Sequence, residues 1–175
     1  MKRDLKVLKL IWAALFLALA YLLPFVTGQI PEVGRMLCPM HLPVLLCGFL
    51  CGWQWGLAVG FIAPLLRSLT LGMPIFFPSA LCMAFELATY GLLAALFYRL
   101  FARRKRYLYP ALLLSMIGGR AVWGVAMLIC MGIADKPFGF TAFLSGAVTA
   151  ALPGIVLQLI LIPPIVVAVE RWIRK

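Results

Sequence analysis

The sequence contains few charged residues, and very few of them are acidic. Only 12% of its 175 residues are charged, with five Asp or Glu against sixteen Lys or Arg, and there is a single histidine. A soluble domain has about 25% charged residues. Hydrophobic residues make up 65% of the chain and the mean hydropathy is +1.09. This composition excludes an ordinary soluble domain and indicates an integral membrane protein.

Signatures of enzymatic chemistry are also missing from the sequence. The chain has no P-loop for ATP, no His-Glu-x-x-His zinc motif and no Gly-x-Ser-x-Gly nucleophile elbow. Its five cysteines lack metal-type spacing, and the single histidine, His41, leaves few metal ligands. We therefore expect no catalytic residues, no metal site and no cofactor, and we interpret the thiols as small buried hydrophobes.

Apolar runs of membrane-spanning length dominate what is present. A helix needs about 20 apolar residues to cross a bilayer, and no period-two alternation typical of a β-barrel appears. The sequence predicts an all-α protein with one domain, residues 1–175, and six transmembrane helices at about 8–26, 39–51, 57–71, 78–98, 107–131 and 141–169. Residues 52–56 are predicted to form a tight turn, and Pro153 and the pair Pro163-Pro164 to kink the sixth helix.

The basic residues predict the orientation. Twelve of the sixteen lie in three clusters that flank apolar runs: Lys2, Arg3, Lys6, Lys9; Arg99, Arg103, Arg104, Lys105, Arg106; and Arg171, Arg174, Lys175. Cytoplasmic loops of membrane proteins are enriched in Lys and Arg. With an even number of spans, both termini and the central cluster lie in the cytoplasm against anionic lipid. No groove-reading motif accompanies the charge, so we expect no nucleic-acid partner.

Three ionic residues lie inside the predicted spans, namely Arg67, Glu86 and Arg120. Ionic residues in a membrane are costly and are kept for function or for a structural pair. In one interpretation Glu86 neutralises one arginine and locks the helices together. In the other, the surplus positive charge binds an anionic or strongly polar ligand. Glycines 48, 52, 56 and 60 recur every fourth residue, which predicts close helix packing around this region.

Helical spacing extends the candidate site. Glu86 shares a face with Met83 and Tyr90, and Arg120 shares one with Trp123. Such walls suit a small molecule with a polar head and an apolar body. His41 begins the second span, near a loop that carries Arg35. Candidate substrate-binding residues are therefore Arg35, His41, Arg67, Glu86, Tyr90, Arg120 and Trp123, and a weaker candidate is the hydroxyl stripe of Thr141, Ser145 and Thr149.

The layout resembles a family of small membrane proteins with basic ends. PVLLCGFLCGWQWGLAVGFIAPLLRSLTLGMP followed by MAFELATYG is similar to the pattern of the substrate-binding S component of an energy-coupling factor (ECF) vitamin transporter. The resemblance implies an S-component-like bundle in a bacterial plasma membrane that binds a vitamin from outside. It also implies docking on a membrane coupling subunit driven by two ATPase subunits. Ala14 and Ala18 match the family's Ala-x-x-x-Ala docking surface, and small residues at that spacing allow close helix approach.

The substrate follows less directly from the sequence. Arginines beside Glu86 favour a ligand with a carboxylate and with groups that donate hydrogen bonds. Among the family's cargoes the sequence looks most like the pantothenate type, while riboflavin, folate and pyridoxine share the architecture. Two other classes of function stay open at this point. One is a self-contained permease or channel for a small polar or anionic solute. The other is an intramembrane enzyme or assembly factor.

Overall fold

The chain forms helices throughout the part that the structure describes. The structure is a computed structural model, and it describes residues 2–26, 36–101, 104–135, 139–146 and 151–173. The helices are α1 (Lys2–Val26), α2 (His41–Cys51), α3 (Trp53–Leu71), α4 (Leu81–Leu100), α5 (Leu108–Ile133), α6 (Phe140–Leu144) and α7 (Leu152–Ile173). A π-helical turn, Phe76–Ala80, leads into α4, and a 3-10 turn, Lys105–Tyr107, leads into α5.

Four helices of the described chain are long and apolar enough to cross a membrane. They cover Lys6–Val26, Phe76–Leu100, Lys105–Ile133 and Leu152–Trp172. The eleven residues of α2 are apolar but span only about 16 Å at 1.5 Å per residue, roughly half of a bilayer core. The all-helical membrane architecture is thus confirmed, and the count of six spans remains a prediction.

Helix α4 lies at the centre of the bundle, where it packs against α2, α3 and α5. Buried residues make up 56% of its membrane-spanning window, against 22–28% for the windows in α1, α5 and α7. Residues on α4 are therefore better shielded than those on the other three helices of membrane-spanning length. This position explains how α4 holds an acidic side chain inside a hydrophobic bundle.

Glycines bring α2, α3 and α4 together, as predicted for Gly48, Gly56 and Gly60 but not for Gly52, which has no atom within 4 Å of its Cβ position. A Cβ built on Gly48 would lie 2.5 Å from the carbonyl oxygen of Gly91, and one built on Gly56 would lie 2.6 Å from the same atom. Gly91 on α4 faces the backbone of Gly56 in turn, and Gly60 faces the backbone of Leu87. No side chain fits between these backbones, so the three helices form a rigid unit.

The predicted turn at 52–56 is wrong in its extent. Only Gly52 separates α2 from α3, and Trp53, Gln54, Trp55 and Gly56 already belong to α3. Gly52 has φ of 103°, a conformation that L side chains rarely adopt, so one residue suffices to reverse the chain. At the other end of α3, Gly72 caps the helix in the left-handed region and its N–H donates to Ser68 O at 3.0 Å.

The predicted sixth span also differs from the structure. In place of one helix over 141–169, the described residues form α6 and α7, and residues 147–150 between them lie outside the described chain. Pro153 is the second residue of α7, where the N–H that proline lacks has no helical partner in any case. It therefore lies at a helix start and causes no kink, whereas Pro163 and Pro164 do lie inside α7.

The ends of four helices meet at one end of the molecule. Trp12 near the start of α1 and Trp172 near the end of α7 line the same cavity. The Tyr98 hydroxyl, near the end of α4, donates to both carboxylate oxygens of Glu170 on α7 at 3.1 Å. Phe49, near the end of α2, meets the Tyr98 ring edge-on at 5.5 Å. Each of the three basic clusters therefore includes residues near this one end.

Candidate functional site

A buried ionic cluster connects α2, α4 and α5. Arg120 Nη1 lies 2.9 Å from Glu86 Oε1, and His41 Nε2 lies 3.4 Å from the same oxygen. The side chains of Glu86, His41 and Arg120 are 2%, 5% and 15% exposed. These three residues define the ionic cluster. A carboxylate, a guanidinium and an imidazole are thus held together away from solvent.

The helices place these residues by simple geometry. Glu86 is five residues into α4, about 7.5 Å along its axis, and Arg120 lies near the middle of α5. His41 is the first residue of α2, and its backbone N–H donates to Cys38 O at 3.0 Å. Because α4 packs between α2 and α5, a side chain on its inner face meets both neighbours. The sequence predicted each residue, and the structure shows that they converge.

Tyr90 forms one wall of the ionic cluster. It lies one helical turn after Glu86, is 1% exposed, and its ring centroid is 5.2 Å from that of His41. A Cβ built on Gly119 would lie 2.5 Å from Tyr90 Cε1, so the absence of a side chain there makes room for the ring. Gly119 directly precedes Arg120, and no pattern in the sequence predicts that it shapes the site.

Cys38 is a second residue that contributes to the ionic cluster without being predicted from the sequence. Its sulfur lies 3.6 Å from Arg120 Nη2, and its backbone has φ of 46°. The sequence alone indicates only a small buried hydrophobe at this position. The only available signal was its position three residues before His41. Cys38 therefore adds a polarisable contact to the guanidinium at the edge of the ionic cluster.

Several polar atoms of the ionic cluster keep unused hydrogen-bonding capacity. Within the described residues, His41 Nδ1 and Arg120 Nε are buried without a hydrogen-bond partner. Glu86 Oε1 is also without a well-directed hydrogen bond, so its short contact with Arg120 is an ion pair by distance. Buried polar groups are normally satisfied, and exceptions call for a physical reason.

Arg67 lies in a different environment from the other two ionic residues. Its Nη1 donates to the carbonyl oxygen of Tyr21 at 2.8 Å, and its guanidinium lies over the Phe25 ring at 4.9 Å. Both partners are on α1, so Arg67 ties α3 to α1. The sequence predicts both Arg67 and Arg120 beside Glu86, but the recorded contacts of Arg67 are with α1 and not with Glu86. Among the described residues, the ionic cluster pairs one acidic with one guanidinium group and shows no surplus of arginines.

The remaining candidates are placed as follows. Trp123 follows Arg120 by three residues, and its ring stacks on Phe143 of α6 with centroids 6.1 Å apart. Thr141 and Ser145 are exposed. Arg35 and Thr149 lie outside the described residues, so their predicted roles stay predictions. Ala14 and Ala18 are both exposed on α1, on a face that also leaves Ile11, Leu15 and Leu22 uncovered.

Comparison with known proteins identifies the family. Residues 8–166 match the model of the family described as ECF transporter, substrate-specific component. Neither a curated protein nor a solved structure matches the chain. The family match covers nearly the whole chain, including every element that carries the ionic cluster. The chain belongs to the substrate-specific component family of ECF transporters.

Proposed function

We propose that the chain captures a vitamin, with pantothenate as the best candidate, from outside a bacterial cell through its ionic cluster. It then delivers the vitamin through a membrane coupling subunit and two ATPase subunits. The observation that carries the proposal is the buried Glu86–Arg120 pair, together with partnerless polar atoms on Arg120 and His41. These atoms retain donor and acceptor capacity that a polar ligand can use.

The donor pattern of Arg120 suits a carboxylate ligand. Nη1 contacts Glu86 and Nη2 contacts Cys38, whereas Nε has no hydrogen-bond partner in the described part of the chain. A carboxylate bound along the Nε–Nη2 edge receives two parallel hydrogen bonds. Glu86, which contacts Nη1 of the same guanidinium, accepts from hydroxyl or amide donors of the ligand. Pantothenate carries a carboxylate, an amide and two hydroxyls, which matches this set.

Because the ionic cluster is enclosed, part of the protein must move before a ligand can enter. Glu86 is 2% exposed by its side chain, so a ligand reaches it only when covering segments shift. The connection between α3 and α4, which contains Gly72 and the π-helical turn, lies directly before the helix that carries Glu86. We expect this connection to open from the outer side. The glycine-packed unit of α2, α3 and α4 stays rigid meanwhile.

The positions of the basic clusters support cytoplasmic termini. Residues of all three clusters lie near the end where α1 begins and α4 and α7 end. His41 begins α2, and Glu86 lies in the first half of α4, so both are towards the opposite end. By the positive-inside rule the basic end is cytoplasmic, and the ionic cluster then lies nearer the outer face. A site that captures a substrate for import must be reached from the outer face, and this position meets that requirement.

The exposed face of α1 supports docking on the coupling subunit. Ala14 and Ala18 are one turn apart and exposed, so a partner helix can approach the α1 backbone closely. Replacing both with leucine is expected to abolish copurification with the coupling subunit while vitamin binding persists. Ala121 is exposed on α5, so Ala121→Leu is the matched control. It should change neither copurification with the coupling subunit nor vitamin binding.

Binding and transport measurements on the purified chain test the proposal. Radiolabelled pantothenate should bind the chain alone, and Arg120→Ala should weaken binding by at least about tenfold, as expected for loss of a charged hydrogen-bond donor. Arg99→Ala, at an exposed position on α4, is the matched control. Liposomes should accumulate the vitamin only when the coupling and ATPase subunits are present with ATP. Uptake by the chain alone would instead indicate a self-contained permease.

A further inference from the structure

An open cavity separates α1 from α7 at the basic end of the molecule. It has a volume of about 380 Å³ and is lined by Trp12, Ala168, Val169 and Trp172. Trp172 is 72% exposed, so the cavity opens to the surroundings of the bundle. Its volume falls within the range of small-molecule sites, about 300–1,000 Å³. The lining is aromatic and aliphatic, which suits a hydrocarbon chain.

Exposed cationic residues lie close in sequence to the two tryptophans of this cavity. Lys9 precedes Trp12 by three residues and is exposed on the same side of α1. Helix α1 packs against α2, and α2 also contacts α7. Arg171 is exposed and directly precedes Trp172. The charges thus lie towards the helix ends, and Ala168 and Val169 lie about one turn deeper.

The acidic side chain that precedes Arg171, Glu170, faces away from the cavity. Both carboxylate oxygens of Glu170 accept from the Tyr98 hydroxyl at 3.1 Å, which directs this side chain towards α4. Glu170 is therefore hydrogen-bonded within the helical bundle. The rim of the cavity keeps the positive character of Lys9 and Arg171.

We propose that this cavity binds one anionic phospholipid. An acyl chain fills the space between Trp12 and Trp172, and the phosphate contacts Lys9 and Arg171. Charge complementarity selects this occupant: basic side chains at the membrane surface attract anionic headgroups, and tryptophans favour the boundary between headgroup and hydrocarbon. The site is remote from the ionic cluster and does not depend on which vitamin binds there.

Native mass spectrometry of the intact chain in bilayers of phosphatidylglycerol and phosphatidylcholine, with identical acyl chains, tests the site. The expected result is preferential retention of one phosphatidylglycerol. Lys9→Gln and Arg171→Gln should each lower its affinity about fivefold, the effect of one juxtamembrane charge. Trp172→Ala should reduce retention of the lipid as well, because it removes one wall of the cavity.

Matched controls separate a specific site from general lipid contact. Leu100 is 74% exposed on α4, so Leu100→Ala removes similar apolar surface elsewhere, and Arg104→Gln removes an exposed charge outside the cavity. Both controls should retain phosphatidylglycerol like the unmodified chain. Equal retention of the two lipids, or equal losses in the controls and the cavity variants, would overturn the proposal. Thermal unfolding followed by circular dichroism checks that each variant is folded.

Discussion

Arg120 Nη1 lies 2.9 Å from Glu86 Oε1, between two neighbouring helices in the interior of the bundle. The sequence left open which arginine Glu86 would pair with. The structure pairs it with Arg120 and gives Arg67 a carbonyl and an aromatic ring on α1. The two arginines therefore have different roles, and this difference can be measured.

Energetic coupling between Glu86 and Arg120 is the first prediction. Removing one partner of a buried ion pair costs about 3–5 kcal/mol, because the other charge is left uncompensated. Glu86→Gln and Arg120→Gln should each lower thermal stability, and the double variant should be less destabilised than the sum of the two. Thermal unfolding of the unmodified chain, the two single variants and the double variant in detergent measures this coupling. Additive effects would show that the two side chains do not interact in the folded protein.

Arg67 should affect stability without affecting ligand affinity. Arg67→Gln removes the donation to Tyr21 O and the contact with Phe25, a loss of about 1.5–3 kcal/mol for a charged hydrogen bond. Vitamin affinity, measured on the folded fraction, should remain that of the unmodified chain. Arg120→Gln provides the comparison, since it should weaken binding. A large loss of affinity in Arg67→Gln would place this residue in the binding site after all.

Gly91 should tolerate no side chain. A Cβ at this position would overlap the backbone of Gly56, and neither helix can move without disturbing the other contacts. We expect Gly91→Ala to destabilise the protein by about 1–3 kcal/mol, the usual cost of overpacking. Gly132 has no atom within 4 Å of its Cβ position, so Gly132→Ala is the control and should be neutral or slightly stabilising. Equal stability of the two variants would contradict the close packing.

The Tyr98 hydroxyl should stabilise the basic end of the bundle. It donates to both oxygens of Glu170, and Tyr98→Phe leaves the carboxylate without this partner. The expected loss is about 1.5–3 kcal/mol in unfolding free energy. Tyr109 is 51% exposed, and Tyr109→Phe should change stability by less than about 0.5 kcal/mol. Similar melting temperatures for the two variants would indicate that the Tyr98–Glu170 contact adds nothing.

The sequence predicted the membrane class, the helix positions in the first two thirds of the chain and the ionic residues themselves. These features depend on local hydropathy and on the cost of charge in lipid, which are visible in one chain. It also predicted close packing at Gly48, Gly56 and Gly60, but gave no indication of Gly91 as their partner. Partner choice depends on which helices are neighbours, and hydropathy does not encode that.

The same limitation explains the errors at the site. Arg67 and Arg120 have similar sequence surroundings, and only the packing of α3 against α1 separates them. Cys38 and Gly119 have no distinctive pattern, because a thiol and a glycine are common in any apolar bundle. The turn at Gly52 was predicted too long, since two tryptophans and a glutamine in a row are compatible with either a loop or a first helical turn.

Mass spectrometry of small molecules extracted from the purified chain tests the central claim most directly. The account predicts one vitamin, with pantothenate as the best candidate, in near-equimolar amount from the unmodified chain and its loss from a folded Arg120→Ala variant. The Arg99→Ala control should carry the same molecule as the unmodified chain. A chain that carries and binds no vitamin, or an Arg120→Ala variant that retains it fully, would contradict a capture site built on Glu86 and Arg120.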